Sequence, residues 1–390
     1  MISIILAAGK GKRMQPLTET RLKGSLPIQN QSILFRLTDQ IEKVDFMDKL
    51  ILLISPSQKK QMNELLSEKP YANKIIYAIQ DPPKGTADAV AQAEEFIGDA
   101  KRCLVFNGDI IAHVEDILPK LVAHHDKLKA KCTMAVFPGK NERYGLLKVS
   151  SEGTVEDIKE KIKTEEISED IGYINAGIYL FERDVFDSIR TTPLSQRKEY
   201  EITDTIAILG EKGIIGAHII NSWMSLENPM DLLIAQKFFP PRIEQLNMQF
   251  HTGGEIGFKA AEEIFFEEDS EIELSGITIT GPVLIGKGTL IEQGSKIGPY
   301  VFFGKDCEVG PNTIIKNSLI MDDCKVESGC ILTNIVSAEK VLFGRRSKLQ
   351  PKNATKLIVI GGETIIGTNV IIEKGMKIKA YSVISKDAGL

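Results

Sequence analysis

In the last third of the chain an apolar residue recurs every six positions, at Ile285, Ile291, Ile297, Phe303, Val309 and Ile315. The phase then slips to Ile320, Val326 and Leu332, and it resumes at Ile360, Ile366, Ile372, Ile378 and Ile384. A triangular coil whose sides are each about six residues long has this period, because every side sends one apolar side chain into the stack. Gly286, Gly298, Gly304, Gly310 and Gly367 directly follow the apolar position and suit tight corners. The pattern predicts a hexapeptide-repeat, left-handed parallel β-helix. Cys324 and Cys330 stand one side apart and read as small packing residues. The basic run from Gly344 through Arg345, Arg346 and Lys348 to Lys356 breaks the hexads, and an excursion loop is expected there.

The rest of the chain has another texture. At 390 residues the protein exceeds one ordinary domain, so a second core is expected upstream. Short apolar runs alternate with amphipathic stretches up to about residue 220, the pattern of βαβ units in a doubly wound, mostly parallel α/β sheet. After an initial strand, further strands are predicted at 50–54, 75–78, 103–106, 133–136 and 178–181, and helices at 32–44, 57–66, 86–96 and 114–128. Pro240-Pro241 marks a linker. The expected domains are residues 1–238, a linker 239–260, and the β-helix 261–390.

Ligands of such sheets gather at the carboxyl ends of the strands. The first strand, through Ile4, Ile5 and Leu6, runs into Gly9-Lys10-Gly11-Lys12-Arg13-Met14, where backbone N–H groups can approach a phosphate and Arg13 can fork onto its oxygens. Lys23 adds a further cation. A dinucleotide fingerprint fits badly, since it needs a third glycine where Met14 stands and a helix directly after it. A Walker A loop needs Gly-Lys-Ser/Thr after its spacer, which is absent. Gln80-Asp81-Pro82-Pro83-Lys84-Gly85-Thr86-Ala87 precedes a predicted helix that Gly85 or Thr86 can cap. Asn107-Gly108-Asp109 ends another strand, and a carboxylate there suits Mg²⁺, a hard cation that completes its shell with phosphate oxygens and water.

The order G-x-G-x-R-M, Pro16-Leu17-Thr18, then Lys23 with Leu26-Pro27-Ile28 resembles the signature of the sugar-nucleotide pyrophosphorylases, nucleotidyltransferases that join a nucleoside triphosphate (NTP) to a sugar 1-phosphate. Further matches follow in the family's order: Tyr144-Gly145, Val155 to Lys161, and Asn175-Ala176-Gly177-Ile178-Tyr179. The resemblance implies that Leu6, Ala7, Ala8, Gly9, Gly11, Gln80, Gly85 and Thr86 bind the nucleotide, and that Arg13 and Lys23 hold phosphate charge. It further implies Mg²⁺ on Asp109, sugar contacts from Gly145, Glu160 and Asn175, and Lys161 on the sugar phosphate. LAAG in place of LAGG leans towards a pyrimidine base. One departure stands out: in Trp223-Met224-Ser225-Leu226-Glu227-Asn228-Pro229, Ser225 takes the place of the family's second metal-binding aspartate, and Glu227 that of its glycine. A rival reading follows, a catalytically weak relative that binds nucleotide or sugar phosphate and regulates or scaffolds a partner.

The formal charge of −5, without a basic stripe or interleaved aromatics, opposes a nucleic-acid partner. No apolar run reaches about 18 residues and no signal-peptide order opens the chain, so a cytoplasmic protein without a membrane partner is expected. Five scattered cysteines without C-x-x-C predict reduced thiols. The exposed end coils of a β-helix imply capping or homo-oligomers. Acetyl transfer, which related β-helix enzymes perform with a histidine base, is not expected: His113, His124, His125, His218 and His251 all precede the coils.

Overall fold

Ile4 and Ile5 are fully buried because their strand, Ile2–Leu6, lies in the interior of a nine-stranded sheet. The computed structural model describes residues 1–44, 48–141, 143–159, 172–238, 257–259, 264–266 and 276–386. Contacts group the chain into two units, Met1–Gly9 with Ile33–Ser225, and Lys10–Ser32 with Leu226–Leu390.

In the first unit the sheet runs in the order Val155–Lys159, Leu146–Val149, Tyr173–Glu182, Arg102–Asn107, Ile2–Leu6, Lys49–Ile54, Ile75–Ile79, with Cys132–Pro138 and Ile215–Ile219 off this path. The part built on Ile2–Leu6 is parallel: Leu6 lies beside Leu53 on one side and Asn107 on the other. The long strand Tyr173–Glu182 turns the sheet mixed, pairing antiparallel with both Arg102–Asn107 and Cys132–Pro138. A short connection forces the same geometry on Leu146–Val149 and Val155–Lys159, since parallel neighbours need a crossover of a dozen or more residues. The predicted strands all lie within observed ones.

Helix Val114–Leu128 has its predicted bounds, and its buried Val114, Ile117, Leu118, Leu121 and His125 trace one helical face. Ser57–Leu66 resolves into a turn at Pro56–Gln58, boxed by Ser55, and the helix Lys59–Leu66. The helix expected at 86–96 stops at Ala91, and a separate turn spans Glu94–Phe96. Helix Ile202–Lys212 and strand Ile215–Ile219 complete the unit and had no counterpart in the sequence reading.

In the second unit three parallel sheets of seven, seven and six strands form the sides of the coil. The six-residue positions all point inward: from Ile285 to Ile378 they are buried in one core, with Ile384 half-buried against it. Ile297 stacks on Ile315 eighteen residues on, Ile315 on Leu332 and Leu332 on Leu349 at seventeen, and Leu349 on Ile372 at twenty-three. The slip is thus a side shortened by one residue. Its corner, Asn317, takes the left-handed conformation that asparagine tolerates, and its Nδ2 donates to Asn334 Oδ1 at 2.7 Å. Asn334 in turn donates to the Ala354 carbonyl at 2.9 Å.

The basic run is a smaller interruption than its sequence suggests. Phe343 and Leu349 are inward and buried, and Lys348–Leu349 is a coil strand, so the hexads continue through Arg345 and Arg346 and the excursion lies between Leu349 and Ile358. All five cysteines are free and buried. In the coils their thiols donate to carbonyls of the next turn, Cys324 to Ala338 at 3.2 Å and Cys330 to Gly344 at 3.3 Å, as small packing residues with a weak donor.

Candidate active site

Within the first unit the carboxyl ends of the parallel strands bring several predicted residues together. The amide of Ala7 donates to Leu53 O at 2.8 Å, and that of Gly108 to Leu6 O at 3.0 Å, so the start of the LAAG segment sits beside the turn that carries Asp109. Gln58 holds the same segment from the side, donating from Nε2 to Ala7 O at 3.2 Å. Ala8 is buried, while the space around a Cβ on Gly9 is open.

Gln80 is buried, and its amide nitrogen donates to Gly85 O at 2.9 Å and Asp88 Oδ2 at 2.8 Å. Its NH₂ therefore orders the loop before the helix Thr86–Ala91. Gly85 is the residue before that helix, with φ of 122°. A Cβ there would lie 2.3 Å from the Tyr200 carbonyl oxygen, so this position requires glycine on both steric and torsional grounds. Thr86 does not cap its own helix; its Oγ1 accepts from the Ile202 amide at 2.9 Å and ties the loop to helix Ile202–Lys212.

Asp109 lies two residues past the end of strand Arg102–Asn107, and Ile110–Ile111 pairs antiparallel with Met224–Ser225. Ser225 faces Ile110, so the sheet register sets it one residue from the level of Asp109, the place the family pattern assigns to a second carboxylate. Among the described residues no cluster of three or more His, Cys, Asp or Glu could hold a metal by itself. Asp109 precedes Ile110–Ile111 and Ser225 lies on the strand paired with it; a carboxylate and a hydroxyl are hard oxygen donors of the kind that suit a divalent cation whose shell substrate oxygens complete.

Gly145 and Asn175 also meet: the Asn175 amide donates to Gly145 O at 2.8 Å, and its side chain bridges Tyr179 Oη at 2.8 Å and the Gly177 amide at 3.0 Å. The ladder of Tyr173–Glu182 with Cys132–Pro138 is irregular here, and Trp223 Nε1 donates to the Ala176 carbonyl at 2.8 Å. Tyr144 packs edge-on against Trp223. Glu160 and Lys161 lie outside the described residues.

The second unit holds the glycine-rich loop. Gly11 adopts φ of 62°, which opens the turn Lys12–Met14. Thr18 closes the loop back on itself, donating from Oγ1 to Gly11 O at 2.8 Å, and a Cβ on Gly11 would lie 3.2 Å from Lys23 Cβ. Local folding thus sets Lys23 beside the loop it was predicted to serve. Arg13 is largely exposed and donates to Glu227 Oε2 at 2.8 Å, with the Glu227 carboxylate mostly buried. Asn228 caps helix Pro229–Ala235, and Asp231 completes the capping box by accepting from the amides of Asn228 and Glu227. Gln236 at the helix end donates to Pro27 O and accepts from the Gln29 amide, fixing the short hairpin that follows Lys23.

The sequence reading missed Gln58 as a clamp, Asp88 as the partner of Gln80, and Glu227 as the partner of Arg13. Glu227 was read only as the residue standing in place of the family's glycine. Each partner is set by tertiary folding and carries no periodic or spacing signal.

A mixed sheet with a parallel core and a glycine-rich loop after its strand Ile2–Leu6, in a chain that ends in a β-helix, defines a nucleotide-handling enzyme class, and the chain belongs to the nucleotidyl transferase family, whose model matches residues 2–239. The GMPPB C-terminal domain model matches residues 279–386. The chain is similar to "Bifunctional protein GlmU" of Methanocaldococcus jannaschii, 30% identical over 88% of this chain and 79% of that protein. It is also similar to "Bifunctional sugar-1-phosphate nucleotidylyltransferase/acetyltransferase" of Sulfurisphaera tokodaii, 28% identical over 100% of this chain and 98% of that protein. A structure described as a glucose-1-phosphate thymidylyltransferase from Bacillus anthracis shares the fold, with a TM-score of 0.53 and 24% identity over 60% of this chain and 94% of its own. No helix among the described residues is long and apolar enough to cross a membrane.

Proposed function

We propose that the protein is a Mg²⁺-dependent sugar-1-phosphate nucleotidyltransferase. An oxygen of the sugar 1-phosphate attacks the α-phosphorus of the NTP and pyrophosphate leaves, giving an NDP-sugar. The observation that carries the reading is the loop after Ile2–Leu6, in which Gly11, Thr18 and Lys23 are folded onto one another, in a chain of this family. Arg13 and Lys23 hold charge on the triphosphate, and Lys161 orients the attacking phosphate. The segment Leu6 to Gly9, with Gly11, Gln80, Gly85 and Thr86, binds the nucleotide. Gly145, Glu160 and Asn175 bind the sugar. Mg²⁺ on Asp109 supplies neutralisation of phosphate charge when bound.

In this reading residues 1–238 are the catalytic domain, 239–260 the linker and 261–390 the β-helix domain, which assembles subunits in the cytoplasm. The coils perform no acetyl transfer, because no histidine follows His251. Ser225 favours a second reading, a weak or inactive relative with a regulatory role, because a neutral hydroxyl replaces a metal-binding carboxylate.

Pyrophosphate release is measured with Mg²⁺ across UTP, dTTP, CTP, ATP and GTP against glucose, mannose and N-acetylglucosamine 1-phosphates. Release in any combination, lowered by orders of magnitude in Asp109→Asn and Arg13→Ala variants that remain folded, is the expected result. Silence across the grid from folded protein that still binds nucleotide establishes the second reading.

A further inference from the structure

The segment Lys10–Ser32 and the β-helix fall in one contact unit, and the side chains that join them bracket both loop cations. Arg21, two residues before Lys23, forms an ion pair with Glu339 of the coils, Nε to Oε2 at 2.8 Å, with both side chains mostly buried. The N–H does not align on the carboxylate, so neither atom makes a hydrogen bond and the pair is held by charge and packing. Arg21 also donates to Met321 Sδ at 3.5 Å. Glu19 accepts from the Ala380 amide at 2.8 Å, and Thr20 packs on Gly362, where a Cβ would come within 2.7 Å of its Oγ1. On the N-terminal side Lys377 donates to the Arg13 carbonyl at 3.2 Å, and on the C-terminal side Asn30 donates to the Phe303 carbonyl at 3.0 Å.

These contacts reach successive turns of the coil, at Phe303, Met321, Glu339, Gly362 and Ala380, so they follow one side of the stack. A stacked parallel coil is rigid along its axis because each turn is bonded to the next. The segment Lys10–Ser32, with Gly11 and Gly24 and helical turns of only three residues, has no comparable stiffness of its own. We propose that the β-helix is the template that sets the conformation of the nucleotide loop, with Arg21 and Glu339 as positioning residues for NTP binding. The proposal rests on the reading of Arg13 and Lys23 as triphosphate ligands. Neither Arg21 nor Glu339 is assigned a ligand contact; removing one strands the charge of the other in a mostly buried site and frees the loop.

The test uses the full chain in Glu339→Gln, Arg21→Gln and the swap Arg21→Glu with Glu339→Arg. Hydrogen exchange is followed in residues 10–32 and in coil residues 300–380, alongside kinetics with the most active NTP and sugar pair of the grid. In each single variant, loop protection is expected to fall while coil protection holds. KM for the NTP is expected to rise about tenfold, with KM for the sugar 1-phosphate within about twofold. The charge swap is expected to restore most of both effects. Unchanged loop exchange in folded single variants overturns the proposal, as does faster loop exchange with an unchanged NTP KM. If the wild-type protein has no turnover, the proposed reaction fails by itself. Dissociation constants for Mg-UTP and Mg-dTTP then replace KM: a tenfold weakening keeps the template role, and unchanged or absent binding refutes it.

Discussion

Gly85→Ala is the substitution whose cost the structure defines best. The new Cβ would stand 2.3, 2.6 and 2.9 Å from the carbonyl oxygen, amide nitrogen and carbonyl carbon of Tyr200, all backbone atoms with no rotamer to yield. Those atoms bond the loop: Tyr200 N donates to Lys84 O at 2.8 Å, and Ala87 N donates to Tyr200 O at 2.9 Å. Holding alanine at a φ of 122° costs about 1–3 kcal/mol. Losing the two hydrogen bonds adds about 0.5–1.5 kcal/mol each. The sum is about 2–6 kcal/mol, or a fall in melting temperature of roughly 4–24 °C for a unit of this size. Because Gln80 donates to Gly85 O, the same change also shifts the proposed base contact and should raise the KM for NTP. Gly9→Ala is the control. With no atom within 4 Å of its Cβ it should leave stability within about 0.5 kcal/mol, yet raise the NTP KM if backbone approach to phosphate matters. Urea unfolding and steady-state kinetics on both variants decide the point. A Gly85→Ala protein that loses under 1 kcal/mol with an unchanged KM refutes the reasoning.

Ser225→Asp restores a carboxylate beside Asp109; a modest change in an active enzyme supports one-carboxylate metal binding, whereas a large gain in a silent protein supports the regulatory reading. Glu227→Gln removes the anion paired with Arg13 and should lower the NTP KM several-fold, because triphosphate no longer competes with a carboxylate; an increase in KM would instead place Glu227 on the side of substrate binding. Burial lowers the pKa of His125, against the opposing pull of its Glu182 partner, and burial with nearby His124 and Lys120 lowers that of His218. The unfolded chain then binds more protons than the native one below about pH 6.5, so stability should fall as pH drops through that range, and His125→Gln should flatten the dependence in urea titrations.

The coil was readable because a triangular stack demands one inward apolar residue per side, and Ile285 to Ile378 meet that demand at nearly every turn. It became unreadable where charge obscured the pattern: Phe343 and Leu349 keep the frame among Arg345, Arg346 and Lys348, and the eye follows the cations. The helix expected at 86–96 is longer than the one observed because Ala91, Gln92 and Ala93 favour helix, whereas the turn tightens after Ala91, Ala93 N donating three residues back to Val90 O at 3.0 Å. In the candidate site, local motifs announced Gly11, Thr18 and Lys23, which sit close in sequence. The Arg13 and Glu227 pair spans 214 positions and Gln58 reaches back 51 to Ala7, separations over which single-sequence spacing carries no information.

The buried thiols make the chain a reporter on itself. Cys103 and Cys132 lie in the first unit and Cys307, Cys324 and Cys330 in the second, and burial pushes Cys103 and Cys307 up to about 12 and raises the others. Thiolate is the reactive form, so alkylation awaits local opening. Mass-resolved alkylation of the two sets therefore reads the opening free energy of each unit separately, from the protein's own cysteines and with no engineered site.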